Sequence, residues 1–347
     1  MGALALLFPH TASWADSKPF LSPSTASAVV VASTSSGGLI VLPTMTGPAL
    51  KLGGPGAVAV SPHGNLVYAA PEWGRRTGHL LTVSLTGRRL KELSSVRLGG
   101  SGAVSIAVAP DARSLVVANY SSSSVSVVRL DLRGMPTEVI AVPTHIAPSN
   151  PHAVVFLGAT AVVTDLRNDR VDFLSIDANP KWVGSVLMRP GDGPRSIAVV
   201  NDRQFLVSNE LSNSVSCLLS DKGSFSERGR VDLGGSAISG PSASSPPRVA
   251  PPTAMRPKPA EIVVTSATAA AVVVRGSDEL VRLSFGPECQ LGVVARESDV
   301  VDRPRPLVNR GAEIWMGIST AVMVTGSRDN WGAIATRDPV YSMVVVR

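Results

Sequence analysis

The chain has 347 residues, a formal net charge of +6, 44% hydrophobic and 17% charged residues. Such a composition can bury a core and excludes a disordered chain. The arginines form no block and aromatics are only 4%, which speaks against a nucleic-acid surface, and no run of about 18 apolar residues is present to form a membrane-spanning helix.

Residues 1–25 hold a short apolar run, Ala3 to Phe8, broken by Pro9 and lacking a basic start. A secretory signal needs a longer apolar core and a charged beginning. The segment is therefore expected to be a poorly ordered leader, with cytoplasm as the default location. Residues 26–347 are expected to form one domain.

The first apolar run, Val29-Val30-Val31-Ala32-Ser33, opens a repeat. Val67-Tyr68-Ala69-Ala70-Pro71, Val116-Val117-Ala118-Asn119-Tyr120, Val162-Val163-Thr164-Asp165-Leu166 and Leu206-Val207-Ser208-Asn209-Glu210 follow, then Val272-Val273-Val274-Arg275-Gly276 and Val322-Met323-Val324-Thr325-Gly326. Each ends a β-branched stretch on a polar or small residue. They recur roughly every 45–50 residues, the spacing of propeller blades. One interval, from Leu206 to Val272, is stretched by a Pro- and Ser-rich segment, 236–259, whose composition predicts an inserted loop.

Each run is preceded by another strand, such as Ala57–Ser61, Ser105–Ala109, Ala153–Phe156, Ser196–Val200 or Glu261–Thr265, and turns such as Ser61-Pro62-His63-Gly64-Asn65 join the pair. A third strand follows, as in Val125–Leu130 and Val171–Ile176, and a weaker fourth closes the unit. Continuous apolar runs suit strands covered on both faces. The fold class is therefore all-β, a seven-bladed β-propeller. The Val29 run lacks a strand before it, and Tyr341–Arg347 has nothing after it. Pairing the two makes the last blade from N- and C-terminal strands. The cysteines, Cys217 and Cys289, have no CxxC or His neighbours and are expected to be buried reduced thiols.

The strand ends carry a family resemblance. Asn119-Tyr120-Ser-Ser-Ser-Ser-Val125-Ser-Val resembles the ANYxxGSVSV segment of the seven-bladed lactonase family. Pro151-His152-Ala-Val-Val with Thr164-Asp165-Leu-Arg-Asn-Asp169-Arg170-Val is similar to its PHSVxF…ADLGxDRV segment. Gly193-Pro194-Arg195-Ser196 and Asn209-Glu210-Leu211-Ser-Asn-Ser-Val resemble GPRH…NELSNTV, and Ala260-Glu261-Ile262 with Arg275-Gly276 resembles AEI…SNRG. The resemblance spans about residues 27–347 and is most specific in the third to fifth blades. Its members include 6-phosphogluconolactonases and carboxymuconate lactonising enzymes.

That resemblance implies a lactonase-like hydrolase of an anionic sugar-acid lactone, of the 6-phosphogluconolactone kind, needing no cofactor and no metal. It implies a site of His152, Arg195, Glu210 and Arg275, set at loops joining inner strands of three successive blades. Arg195 and Arg275 suit an anionic substituent or an oxyanion. His152 suits a general base, with Glu210 orienting it or acting as base itself. The small anionic lactone or carboxylate is the expected partner, with neither nucleic acid nor membrane involved. A lactonising enzyme for a carboxylated muconate is one alternative. A non-catalytic scaffold binding a protein through its faces or the 236–259 loop is another.

Structural roles compete for the same residues. Arg195 and Glu210 can be an interblade ion pair, Asn119 a turn cap, and Asp165, Asp169 and Arg170 ties between loops. Departures from the family pattern are Ser196 and Ser105, each where a His is usual, Asn150 for the first His of a pair, and Val273-Val274 before Arg275. Glu72 occupies a family-like position.

Overall fold

A computed structural model describes residues 29–34, 36–42, 50–74, 76–87, 89–234 and 257–297, and the strands at 307–310, 313–317, 321–325, 331–335 and 340–346. The expected leader, 1–25, and most of the expected loop, 236–256, lie outside the described residues.

The strands form seven four-stranded antiparallel sheets. Blade 1 holds β1 (Val29–Thr34), β2 (Gly38–Leu42) and β3 (Leu50–Lys51), and takes its innermost strand, β28 (Val340–Val346), from the far end of the chain. Blade 2 is β4 (Gly56–Val60), β5 (Leu66–Pro71), β6 (His79–Thr86) and β7 (Arg89–Arg97). Blade 3 is β8 (Ala103–Val108), β9 (Ser114–Asn119), β10 (Ser124–Leu130) and β11 (Pro136–Pro143). Blade 4 is β12 (Pro151–Leu157), β13 (Thr160–Asp165), β14 (Arg170–Ser175) and β15 (Lys181–Leu187). Blade 5 is β16 (Pro194–Asn201), β17 (Gln204–Asn209), β18 (Ser214–Asp221) and β19 (Ser224–Asp232). Blade 6 is β20 (Lys258–Ser266), β21 (Ala269–Arg275), β22 (Glu279–Phe285) and β23 (Leu291–Glu297). Blade 7 is β24 (Leu307–Arg310), β25 (Glu313–Gly317), β26 (Ala321–Thr325) and β27 (Trp331–Ala335).

The innermost strands touch one another all the way round, β28 against β4, then β8, β12, β16, β20 and β24 in turn. Burial follows from this radial order. Every residue of β5, β9 and β17 is buried, because a neighbouring blade covers each face. The outer strand β7 instead alternates exposed with half-buried residues along its whole length, the pattern of a strand with one wet face. The core is divided among the seams between blades. Tyr68, Leu80, Ile106 and Leu115 pack blade 2 on blade 3; Phe205, Val207, Val162 and Val155 pack blade 4 on blade 5. Tyr68 is fully buried and donates its hydroxyl to the Gly134 carbonyl of blade 3 at 2.8 Å. Burial pushes its phenol up to about 12, so this tie stays protonated at any ordinary pH.

Two expectations need correction. Composition predicts loop over the whole of 236–259, but Lys258 and Pro259 already pair with Arg275 and Val274 as the start of β20. Proline is tolerated there because β20 is the edge strand of its sheet, where a residue need not donate to a ladder on both sides. Cys217 and Cys289 are not thiols but a disulfide, 72 residues apart with Cα atoms 5.5 Å apart. Linear spacing hides the pair because Cys217 lies on β18 and Cys289 in the β22–β23 turn of the next blade. Both sulfurs sit in the blade 5–6 core, beside the Gln204 amide, which also donates to the Gly286 carbonyl at 2.8 Å.

Cross-linking a loop of this length lowers the entropy of the unfolded chain by an amount worth about 4 kcal/mol. The Cys217→Ser/Cys289→Ser variant is therefore expected to unfold at lower urea than the oxidised protein by that margin. Identical midpoints would remove the disulfide from the account of stability.

Candidate functional site

The site is built from irregularities at the starts of four innermost strands. In blade 3, Ala103 and Ser105 pair with the consecutive residues Asn119 and Ala118, leaving Val104 extra. In blade 5, Pro194 and Ser196 pair with Asn209 and Ser208, leaving Arg195 extra. In blade 4, His152 and Ala153 together face Thr164; in blade 6, Ala260 and Glu261 face Val273. A bulge of this kind re-aims a side chain that would otherwise alternate across the sheet. Val104, His152, Arg195 and Glu261 all line one cavity of about 330 Å³.

Bulges leave backbone groups without ladder partners, and in blades 4 and 5 a hydroxyl on the second strand supplies them. Thr164 Oγ1 accepts from Ala153 N and donates to the Arg195 carbonyl, both at 2.8 Å. Ser208 Oγ accepts from Ser196 N at 3.2 Å and donates to the Ala260 carbonyl at 2.6 Å. Each hydroxyl thus satisfies its own blade's bulge and grips the bulge of the next blade.

The rest of the cavity comes from the ends of the second strands. Glu210 follows β17, Arg275 closes β21, Tyr120 and Leu166 follow β9 and β13, and Glu72 and Trp73 follow β5. All of these lie where the first strand of a blade begins and the second ends. The expected placement, at loops joining the inner strands, is therefore corrected. Those turns, such as 61–65 and 109–113, are at the other end of the channel.

The four expected residues come together in this cavity. The Glu210 carboxylate is their electrostatic centre. Oε2 accepts from Arg195 Nη1 at 2.5 Å and pairs with Arg275 Nη2 at 2.9 Å, while Lys258 Nζ lies 3.5 Å from Oε1. Burial alone would raise this carboxyl, but the charges of Arg195 and Arg275, the Arg195 hydrogen bond and Lys258 outweigh it and hold it below its usual value. Glu210 is consequently an anion engaged by three cations, a poor base. Its contact with Arg195 lies within blade 5, and the interblade pair is the one with Arg275. One Arg195 donor, Nε, is buried with no acceptor among the described residues. His152 is buried, with the Tyr120 ring edge-on at 5.8 Å and 84°.

Neighbouring polar residues divide into ties and lining. Asp165 accepts from Ser149 Oγ and Asn150 N, and Asp169 accepts from Gly191 N and Gly193 N, both at 2.7 Å, so these two fix loops. Asn119 makes no side-chain cap; it reaches Ser126 Oγ at 2.8 Å. The serines at the usual histidine positions make interblade bonds. Ser105 Oγ accepts from Val154 N, and Ser196 Oγ donates to Glu261 Oε2 at 3.1 Å. Trp73, Tyr120, Glu261 and Lys258 were missed as site residues. Tyr120 and Glu261 stand inside the motifs already quoted, whereas Lys258 is hidden by the Pro-rich run before it. Among the described residues no group of His, Cys, Asp or Glu could hold a metal ion.

Replacing Glu210 with Gln leaves two part-buried guanidiniums side by side without their anionic acceptor, expected to cost about 1–3 kcal/mol at pH 7. A depressed folded-state pKa contributes stability that is present above the unfolded value and lost as pH falls through the folded one. The gap between wild type and Glu210→Gln should therefore be full above pH 4.5 and shrink below it. Urea titrations at neutral and acid pH measure it, and a pH-independent gap would contradict the assignment.

A family model described as Lactonase, 7-bladed beta-propeller, matches residues 31–318. A probable 6-phosphogluconolactonase of Arthroderma benhamiae is 30% identical over 181 residues, which are 46% of this chain and 45% of that protein. The match thus spans less than half the length of that relative. The structure of the periplasmic gluconolactonase of Pseudomonas aeruginosa superposes with a TM-score of 0.72 at 19% identity, covering 92% of this chain and 99% of that one. A Lactobacillus plantarum protein superposes at 0.74 and 16% identity, with coverages of 92% and 99%. At such identities the structural likeness is one of fold.

Proposed function

Because the chain belongs to the seven-bladed β-propeller lactonase family, we propose that it hydrolyses an anionic sugar-acid lactone, of which 6-phosphogluconolactone is the type. The observation that carries this reading is the convergence of His152, Arg195, Glu210 and Arg275, from three blades, on one cavity of about 330 Å³. That volume is at the lower end for small-molecule pockets and suits a single sugar acid.

The roles follow from the geometry. Glu210 holds Arg195 and Arg275 side by side, so their remaining donors form one cationic wall. The buried Nε of Arg195 gains an acceptor when an anionic oxygen enters. That oxygen is either the substrate's anionic group or the oxyanion formed as the lactone carbonyl is attacked. With Glu210 committed to the arginines, His152 is the group that exchanges a proton near neutral pH.

His152 takes a proton from water as the water oxygen bonds to the carbonyl carbon. The ring C–O bond then breaks, and the same imidazole returns the proton to the departing alkoxide. The product is the open-chain hydroxy acid, and no redox step or acceptor is required.

A coupled assay on 6-phosphogluconolactone tests the reading. Arg195→Ala is expected to lower kcat/KM by about 10²-fold or more. His152→Asn is expected to lower kcat by roughly 10²–10⁴-fold with little effect on binding of the 6-phosphogluconate product. Wild-type and Arg195→Ala rates both equal to spontaneous hydrolysis would sink it.

A further inference from the structure

The hydrolytic scheme leaves Trp73 without a role. Its side chain is 50% exposed, yet it lines the same cavity as the arginines. A large aromatic at a pocket rim keeps apolar surface in water that a ligand can cover.

The loop that carries it is fixed. Glu72 N donates to the Pro55 carbonyl at 2.8 Å, and Thr77 Oγ1 to the Glu72 carbonyl at 2.9 Å. Arg76 grips both oxygens of Glu92, at 2.8 and 2.6 Å. Two glycines let the crossover from blade 1 press directly on the loop. A Cβ on Gly54 would lie 1.8 Å from the Trp73 carbonyl oxygen. A Cβ on Gly74, at φ +97°, would lie 2.0 Å from the Gly53 carbonyl oxygen. Neither position admits a side chain without moving backbone, so the indole is mounted on the frame of blades 1 and 2.

Trp73 belongs to blade 2 and Arg195 to blade 5, so they stand on opposite sides of the mouth. Val104 and Tyr120, from blade 3, continue the wall on the tryptophan side. A ligand touching both sides carries an anionic group at one end and a ring with an apolar face at the other. We propose that Trp73 is a specificity-determining residue that stacks on the ring of the bound lactone, so that the site selects ring-form anions over ring-less ones. This rests on the lactonase reading given above.

Calorimetry with two non-hydrolysable probes separates the two ideas. Glucose 6-phosphate presents a ring and a phosphate; inorganic phosphate presents the anion alone. Trp73→Ala should weaken glucose 6-phosphate by about tenfold and phosphate by less than about twofold, and Trp73→Phe should restore most of the ring affinity. Arg195→Ala should weaken both probes. Equal losses for both probes in Trp73→Ala, or none for the sugar phosphate, would overturn the stacking role. Unchanged binding of both probes to Arg195→Ala would instead overturn the anion site on which the lactonase reading depends. A wild-type protein that binds neither probe would overturn both.

Discussion

The hydroxyl that bridges one bulge to the next is the interaction on which the channel mouth depends. A strand bulge leaves buried backbone groups unpaired, and each such group costs about 1–3 kcal/mol if it finds no partner. Thr164 and Ser208 remove that cost twice over, taking an N–H from their own blade and giving a proton to the carbonyl of the next. Without them the regular ladder would be the cheaper arrangement for β12 and β16. His152 and Arg195 would then be reassigned to other faces of their sheets. The seam and the site are thus held by the same four bonds.

Charge at the mouth is arranged by position more than by amount. Arg195, Arg275 and Lys258 gather round Glu210 on blades 5 and 6, while Glu72 lies on blade 2 and Glu261 beside Ser196. Counted formally, three cations meet three carboxylates, so the cavity has a direction of field and little net charge. On the proposed reading, the substrate's anionic group would be drawn toward one wall. The mild positive charge of the whole chain would aid its approach without selecting its orientation.

The blade count and the inner strands were legible in the sequence because their cause is local. Val116-Val117-Ala118-Asn119 and Leu206-Val207-Ser208-Asn209 are apolar without alternation since both faces are covered, and that signature survives in a linear reading. Bulges leave no such trace. Whether Arg195 alternates or stands extra is decided by which residue of β17 sits opposite, a fact about two strands together. The disulfide was hidden for the same reason, its halves belonging to different blades. Trp73 leaves no trace in a linear reading because the seating of its loop depends on Gly54, far from it in sequence, in the crossover from blade 1. Lys258 reads as loop because proline-rich composition runs straight into β20.

The link between Cys217 and Cys289 has a topological consequence. It closes a covalent circuit of backbone through blades 5 and 6, and residues 235–256 are part of that circuit. A single nick anywhere in it, in the Pro- and Ser-rich stretch above all, does not divide the molecule. The two pieces remain one covalent body, joined sulfur to sulfur on one side, while β1 from the first piece still zips to β28 from the second. The propeller therefore has two independent clasps on opposite arcs of its ring. The stretch between β19 and β20 can be cut, lengthened or exchanged with neither clasp undone.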